Sequence, residues 1–215
     1  MTTLRRETTE TRVRVRLRLP RERGGSGETG GGGPTGEAGE AGEARTASDA
    51  PAGIATGEPF LDHMLVTAAR YSGLELAVEA SGDLRHHLVE DVAITLGMAL
   101  RREVPATCRR YGAALVPMDD ALVQVALDLG GRAWYEGPLP VPLAEHALRS
   151  FASHAEMTLH VVVVRGSDRH HVVEAAVKAL GLALRQAMAP GDTVFSTKGA
   201  VATAWEEEPL CCASG

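Results

Sequence analysis

A shift of 84 residues lays this chain over itself: Gly82-Asp-Leu-Arg-His-His-Leu-Val-Glu90 falls on Gly166-Ser-Asp-Arg-His-His-Val-Val-Glu174. Across 82–104 against 166–188, 11 of 23 positions are identical without a gap. Residues 60–80 fall over 144–164 at the same shift. Self-similarity at a fixed period is the mark of a repeated structural unit. Here it predicts two copies of one unit, a pseudo-twofold molecule, and a site built from both copies of the motif.

Within each copy the hydrophobic period names the elements. Thr11–Leu19 alternates polar and apolar residues and reads as a half-buried strand, with Val13, Val15, Leu17 and Leu19 inward. Phe60–Tyr71 reads as a helix, Leu74–Ala80 as a strand and Val89–Val104 as a helix. In the second copy, 113–129 holds one or two strands around Pro117. Ala144–Ala155 follows as a helix, Thr158–Val164 as a strand and Val172–Met188 as a helix. Strands and helices mix without a regular strand–helix–strand spacing, which favours α+β over a parallel sheet. The expected organisation is a first half over 1–19 and 53–104 and a second over 105–201. Residues 21–50 contain no Val, Ile, Leu, Met, Phe, Tyr, Trp or Cys and hold ten of the 24 glycines. Such a stretch cannot bury enough apolar surface to offset its ordering entropy. Residues 20–52 are therefore expected to be a disordered glycine-rich insert, and 202–215 a flexible C-terminal tail.

Composition narrows the class. The 215 residues carry a formal net charge of −6, which argues against a nucleic-acid binder that works by counterion release. No stretch reaches the roughly 18 uninterrupted apolar residues of a membrane helix, and Met1–Leu19 is studded with arginine without an apolar signal-peptide core. Of the three cysteines, Cys211 and Cys212 are adjacent near the C-terminus. That is a poor disulfide framework, so a reducing, cytoplasmic setting is expected.

The repeated motif carries the chemistry. His86, His87 and Glu90, and their echoes His170, His171 and Glu174, each stand at a predicted helix start. Positions i and i+4 share a helix face, so His86 with Glu90, and His170 with Glu174, can converge on one ion. Adjacent residues point about 100° apart, which leaves His87 and His171 better placed to serve a different ion. Imidazole and carboxylate without thiolate suit Mn, Fe, Ni, Co or Zn. His63, at an apolar helix start, and His160, inside a strand, are further candidate ligands. His146 and His154 carry no motif and read as surface or core residues.

Phe60-Leu-Asp-His-Met-Leu65, His86-His-Leu-Val-Glu-Asp91, Pro117-Met-Asp-Asp120, Asp128-Leu-Gly-Gly-Arg132, His170-His-Val-Val-Glu174, Lys178-Ala-Leu and Ser196-Thr-Lys-Gly199 occur in this order. Together they resemble the imidazoleglycerol-phosphate dehydratase family, and Arg6-Glu-Thr-Thr-Glu-Thr11 resembles its opening. The resemblance covers nearly the whole chain outside 20–52 and the end beyond 201. It implies two α+β halves of the ribosomal S5 domain 2-like kind, each a four-stranded sheet with helices on one face. It also implies two Mn²⁺ ions per active site and a 24-mer with sites at subunit contacts. Carried over by position, one ion would be held by His63, His87, Glu90 and His171, and the other by His86, His160, His170 and Glu174.

The implied reaction dehydrates D-erythro-imidazole-glycerol phosphate to imidazole-acetol phosphate in histidine biosynthesis. No carbonyl acidifies the C2 proton, so the substrate's own imidazole must help. As an imidazolate stabilised by metal charge, it expels the C3 hydroxyl, and loss of the C2 proton gives an enol that becomes the ketone. Glu10 is the candidate base or substrate-orienting carboxylate, and Glu90 or Glu174 could relay protons. Arg110, Arg132, Ser196, Thr197 and Lys198 match the family's phosphate-contacting positions, where arginine offers a bidentate fork and lysine a point charge. Asp91 reads either as an orienter of a ligand histidine or as a favourable charge in the first helical turn. Asp119 and Asp120 receive no role.

The sequence also departs from the family. The approach Gly82-Asp-Leu-Arg-His86 is shorter than usual and lacks an aspartate, the Arg132–Ser150 connection is short, and Tyr71 stands where a substrate-contacting histidine is common. Two other readings use the same ligands: a dinuclear metal phosphohydrolase, and a non-catalytic paralogue assembled by metal. The retained Arg110, Arg132 and Lys198 count against the second.

Overall fold

The computed structural model describes residues 1–20 and 53–193. The expected insert beyond Pro20, the expected C-terminal tail, and Ser196, Thr197 and Lys198 lie outside the described residues. Twelve elements follow one another: β1 (Thr2–Glu7), β2 (Thr11–Arg18), β3 (Ile54–Ala55), α1 (Pro59–Ser72), β4 (Glu75–Gly82), α2 (Arg85–Glu103), β5 (Tyr111–Met118), β6 (Ala121–Asp128), β7 (Trp134–Glu136), α3 (Pro142–His154), β8 (Thr158–Arg165) and α4 (Arg169–Ala187).

They form two four-stranded sheets with the same plan, β1-β2-β4-β3 and β5-β6-β8-β7. In each, a hairpin and its neighbour pair antiparallel, and a short strand closes the sheet in parallel. The chain is thus an α+β molecule of two similar halves. The inward faces repeat almost residue for residue. Val13, Val15 and Leu17 of β2 correspond to Val123, Val125 and Leu127 of β6, and Leu76 and Val78 of β4 to Leu159 and Val161 of β8; all are buried. They meet α2 in the first half and α4 in the second, and one apolar core runs through both halves.

The remaining helices cross over. Helix α1 of the first half packs on α4 of the second, and α3 of the second packs on α2 of the first. Two glycines at equivalent places make this possible. A Cβ on Gly181 would lie 2.6 Å from Tyr71 Cβ and 3.1 Å from Ser72 N of α1. A Cβ on Gly97 would lie 2.6 Å from Phe151 O and 2.9 Å from Ala155 N, at the end of α3.

The repeat is not held at one shift throughout. Leu17 pairs with Leu76 and Leu127 with Leu159, and Val15 with Val78 and Val125 with Val161, so β4 and β8 correspond at a shift of 83. Next to Leu122 the register slips: Val123 pairs with Val163 but Leu122 with Arg165, leaving Val164 as the extra residue of a β-bulge. Beyond it the 84-residue shift takes over. Residues 60–80 therefore match 143–163 rather than 144–164.

Candidate active site at the paired helix starts

Both histidine pairs lie in the first turn of a helix that follows a core strand by a short turn, α2 from Arg85 and α4 from Arg169. The second start is well capped. Asp168 accepts hydrogen bonds from the backbone N–H groups of His170 (2.7 Å) and His171 (3.3 Å), relieving the orphan donors of a helix N-terminus. Leu84 occupies the equivalent cap of α2 and offers no side-chain bond.

In the second half, the predicted i, i+4 pair meets on one face: His170 Nε2 is 3.1 Å from Glu174 Oε2. His63, on α1, comes to the same carboxylate oxygen at 3.4 Å, its ring parallel to that of His170. Lys178 Nζ bonds the other oxygen at 3.0 Å. Burial opposes ionisation of Glu174, but Lys178 and His63 outweigh it and hold its carboxyl below the usual range.

The first half repeats this arrangement with a residue the sequence reading passed over. His86 Nε2 is 3.9 Å from Glu90 Oε2, and His146 of α3 brings its Nε2 to 3.3 Å from Glu90 Oε1. The rings of His86 and His146 stack at 4.7 Å with an interplanar angle of 19°. The signal for His146 was in the sequence: Pro59-Phe-Leu-Asp-His63 matches Pro142-Leu-Ala-Glu-His146 at a shift of 83. The structure confirms the equivalence. Asp62 accepts from the N–H of Thr56 (2.9 Å) and Glu145 from that of Leu139 (3.2 Å), six residues upstream in each case.

The second histidine of each pair turns elsewhere, as its helical angle requires. His171 Nδ1 lies 2.8 Å from Asp120 Oδ1, and its Nε2 is 3.4 Å from Asp119 Oδ2. Asp120 sits in the β5–β6 turn and accepts from Ser167 N–H (2.6 Å), Ser167 Oγ (2.8 Å) and Asp168 N–H (3.1 Å). The Ser167 N–H first, with His171 after it, pulls the Asp120 carboxyl well below its ordinary range. The bond to Asp120 in turn raises the His171 imidazole, with burial opposing it. His87 Nδ1 faces Glu10 Oε2 at 3.0 Å and Asp83 Oδ1 at 3.5 Å. Since β2 starts at Thr11 and β6 at Ala121, Glu10 and Asp120 are topological equivalents. The carboxylates Asp83, Asp119 and Asp120 are site residues that the motif reading left without a role.

Asp91 does neither of the things expected of it. Buried, it binds Arg6 Nε (2.9 Å) and the Thr11 hydroxyl, tying β1 and β2 to α2.

Among the described residues, three groups of imidazole and carboxylate ligand atoms therefore gather within 4.8 Å: His63–His170–Glu174, His86–Glu90–His146 and Glu10–Asp83–His87. Within one chain neither four-residue set implied by the resemblance comes together. His160 is the clearest reason. On β8, Leu159 and Val161 point into the core, so His160 points to the opposite, exposed face, away from the helices. Arg110 and Arg132, the candidate phosphate ligands among the described residues, are also remote. Arg110, with φ of 73°, forks onto Asp128 (Nε–Oδ1 2.5 Å, Nη2–Oδ2 2.9 Å), and Arg132 accepts from the Thr158 hydroxyl through its carbonyl. Both lie at the end of β6 opposite Asp120, about 25 Å away for an eight-residue strand.

A family model described as imidazoleglycerol-phosphate dehydratase matches residues 56–184. The chain belongs to the imidazoleglycerol-phosphate dehydratase family. The imidazoleglycerol-phosphate dehydratase of Desulforamulus reducens is 44% identical over 164 residues, spanning 68% of this chain and 84% of the relative. That of Pyrobaculum calidifontis is 46% identical over 166 residues, 70% of this chain and 88% of the relative. The crystal structure of the Pyrococcus furiosus enzyme in complex with (S)-C348 superposes with a TM-score of 0.73 at 34% identity, covering 92% of this chain and all of that one. The Staphylococcus aureus enzyme gives 0.66 at 25%, covering 88% of this chain and 99% of that one. The chain is thus an enzyme, a hydro-lyase of histidine biosynthesis that acts on a small substrate, in a family that depends on metal. No helix among the described residues is long and apolar enough to cross a membrane.

Proposed function

We propose that the enzyme removes water from D-erythro-imidazole-glycerol phosphate to give imidazole-acetol phosphate, in the cytoplasm, with two Mn²⁺ ions per site. The donor chemistry supports a divalent transition metal: the clusters offer imidazole and carboxylate atoms and no thiolate. His63, His87, Glu90 and His171 would hold one ion, and His86, His160, His170 and Glu174 the other. Bound metal supplies positive charge that stabilises the anionic form of the substrate's imidazole.

The chain's own groups do the rest. Glu10, half-exposed beside His87, is placed to orient the substrate or take the C2 proton. Glu90 and Glu174 combine metal binding with proton relay. Asp120 holds His171 through its Nδ1 and leaves its Nε2 beside the exposed Asp119. Arg110, Arg132, Ser196, Thr197 and Lys198 would hold the phosphate, which stays on the product.

One observation carries the reading that the site is shared between subunits of a 24-mer: His160 and the arginines lie on a different surface from the helix-start histidines. Exposed Leu115, Val162 and Val164 surround His160's side of the second sheet, which suits a face covered by another copy. The test starts from metal-stripped enzyme given the substrate with and without Mn²⁺. Product that forms only with Mn²⁺, with no free phosphate, is expected; phosphate release would indicate the hydrolase instead. His160→Ala and His171→Ala enzymes, each inactive alone, should regain activity when stripped, mixed and reassembled. A site contained in one chain would stay dead in the mixture.

A further inference from the structure

We infer that Asp91, Thr11 and Thr8 are positioning residues, a hydrogen-bonded chain that holds Glu10 in place over His87, with Arg6 balancing the charge of Asp91. The inference rests on the reading above, in which Glu10 orients the substrate or takes its C2 proton. It adds the residues that keep Glu10 still.

The bonds run in one direction. Asp91 is buried on α2, and its carboxylate accepts from Arg6 Nε (2.9 Å) and from the buried Thr11 hydroxyl. A hydroxyl has one proton to give, so the Thr11 oxygen is left to accept from Thr8 Oγ1, 3.1 Å away. The Thr8 oxygen in turn accepts from the N–H groups of Glu10 (3.2 Å) and Thr11 (3.0 Å). The Glu10 carbonyl accepts from Asp83 N–H at 3.1 Å. The Glu10 backbone is thereby tied at both its N–H and its carbonyl, and its carboxylate faces His87 Nδ1 at 3.0 Å. Hydrogen bonds linked in series polarise and strengthen one another.

The second half shows that the fold alone has no need of this network. Thr11 and Ala121 open equivalent strands, and Asp91 matches Ala175 at the 84-residue shift. Arg6 pairs with Val13, whose counterpart Val123 pairs with Val116. Arg6, Thr11 and Asp91 thus correspond to Val116, Ala121 and Ala175, all three buried. An apolar set closes the same corner there, and a buried ion pair is often no more stabilising than well-packed apolar residues. What differs is the turn. Asp120 is fixed by donors to its own carboxylate. Glu10 ends a turn one residue longer and is fixed one step back, through its backbone.

The experiment uses the full-length chain loaded with Mn²⁺ and given imidazole-glycerol phosphate. It reads kcat, KM, Mn²⁺ affinity and the thermal midpoint. Thr8→Val, which keeps the shape and loses the hydroxyl, should lower kcat roughly 10- to 100-fold, the cost of misplacing a reacting group. KM, Mn²⁺ affinity and the midpoint should stay near wild type, whereas a general packing defect would move them too. Thr8→Ser, which restores a hydroxyl, should recover most of the turnover. The triple variant Arg6→Val, Thr11→Ala, Asp91→Ala, which copies the second half, should lose as much kcat at a similar midpoint. Should it fail to fold, the exposed Thr8 pair carries the test. In a Glu10→Gln chain, Thr8→Val should cost little more, because its effect runs through Glu10. Wild-type kcat in Thr8→Val or in the folded triple variant, or a full further loss in the Glu10→Gln chain, would overturn the inference and leave the reading of the site intact. Wild-type kcat in Glu10→Gln alone would instead remove the role proposed for Glu10.

Discussion

On the solvent side of the first sheet, Arg14 and Arg16 reach Glu79, and Arg18 pairs with Glu75. The same places in the second sheet hold Gln124, Ala126 and Asp128 on β6, and Val162 and Thr158 on β8. Arg5 of β1 is matched by Leu115 of β5, and Ala77 by His160. Meanwhile the inner faces of both sheets keep the same valines and leucines. The inner face is constrained by packing in both halves alike, where a lost methylene costs on the order of 1 kcal/mol. The outer face answers only to what lies beyond it. The first sheet presents ion pairs on its outer face and the second presents Leu115, Val162 and Val164, which suits the proposed covering by another copy, and among the described strands the one outward histidine is on the second.

The sharpest way to break this contrast is to charge the apolar face. If another copy covers this face as proposed, Leu115→Lys with Val162→Lys should disperse the assembly and abolish turnover, since each unpaired charge buried in an interface costs about 2–5 kcal/mol. Arg16→Ala with Glu79→Ala on the first sheet should leave the particle size unchanged, because exposed pairs contribute about 0–1 kcal/mol. Light scattering after size exclusion reads both, and equal behaviour of the two doubles would end the distinction.

The two carboxylates facing the outer histidines come next. Asp120, held by three donors, should matter more to metal affinity than the more exposed Glu10. Asp120→Ala is expected to weaken Mn²⁺ binding by roughly 10- to 100-fold, and Glu10→Ala to lower turnover more than affinity. Metal titration beside steady-state kinetics separates the two.

The halves should respond alike at their crossing glycines. Gly97→Ala and Gly181→Ala each place a Cβ against backbone or a fixed Cβ, and overpacking of this kind costs about 1–3 kcal/mol. Chemical denaturation of the metal-free chain measures it. The smallest effect is at the caps. Asp168→Ala should lose about 1 kcal/mol, and Leu84→Asp should recover a similar amount for α2. An unchanged Leu84→Asp chain would mean that the bare cap of the first half is not a weakness.

Much of this was legible in the sequence. The four helices and the long strands β2, β4, β6 and β8 follow from period and repeat. Helices α2 and α4 begin three or four residues before the apolar period does, because their first turns carry the histidine pairs rather than core residues. Strands β3 and β7 are too short to show a period, and β1, Thr-Thr-Leu-Arg-Arg-Glu, holds a single apolar residue and no alternation. Pro117 proved to lie inside β5 rather than between strands, which an edge strand tolerates. The i, i+4 pairing of histidine with glutamate was legible from helical geometry alone. The carboxylates opposite His87 and His171 were not, since they arrive from hairpin turns remote in sequence. His146 was hidden by a single residue of slippage between the copies.

That slippage has a consequence for how a duplicated chain can change. One residue added inside a strand would invert every side chain beyond it, core for surface. Val164 avoids this by stepping out of the ladder at the last possible point, just before the turn into α4. The extra residue is thereby spent before the histidines begin, and their phase is counted from the helix, not from the start of the copy. Such a strand end works as an expansion joint: the two copies were free to drift in length upstream while their histidine-bearing turns stayed in step.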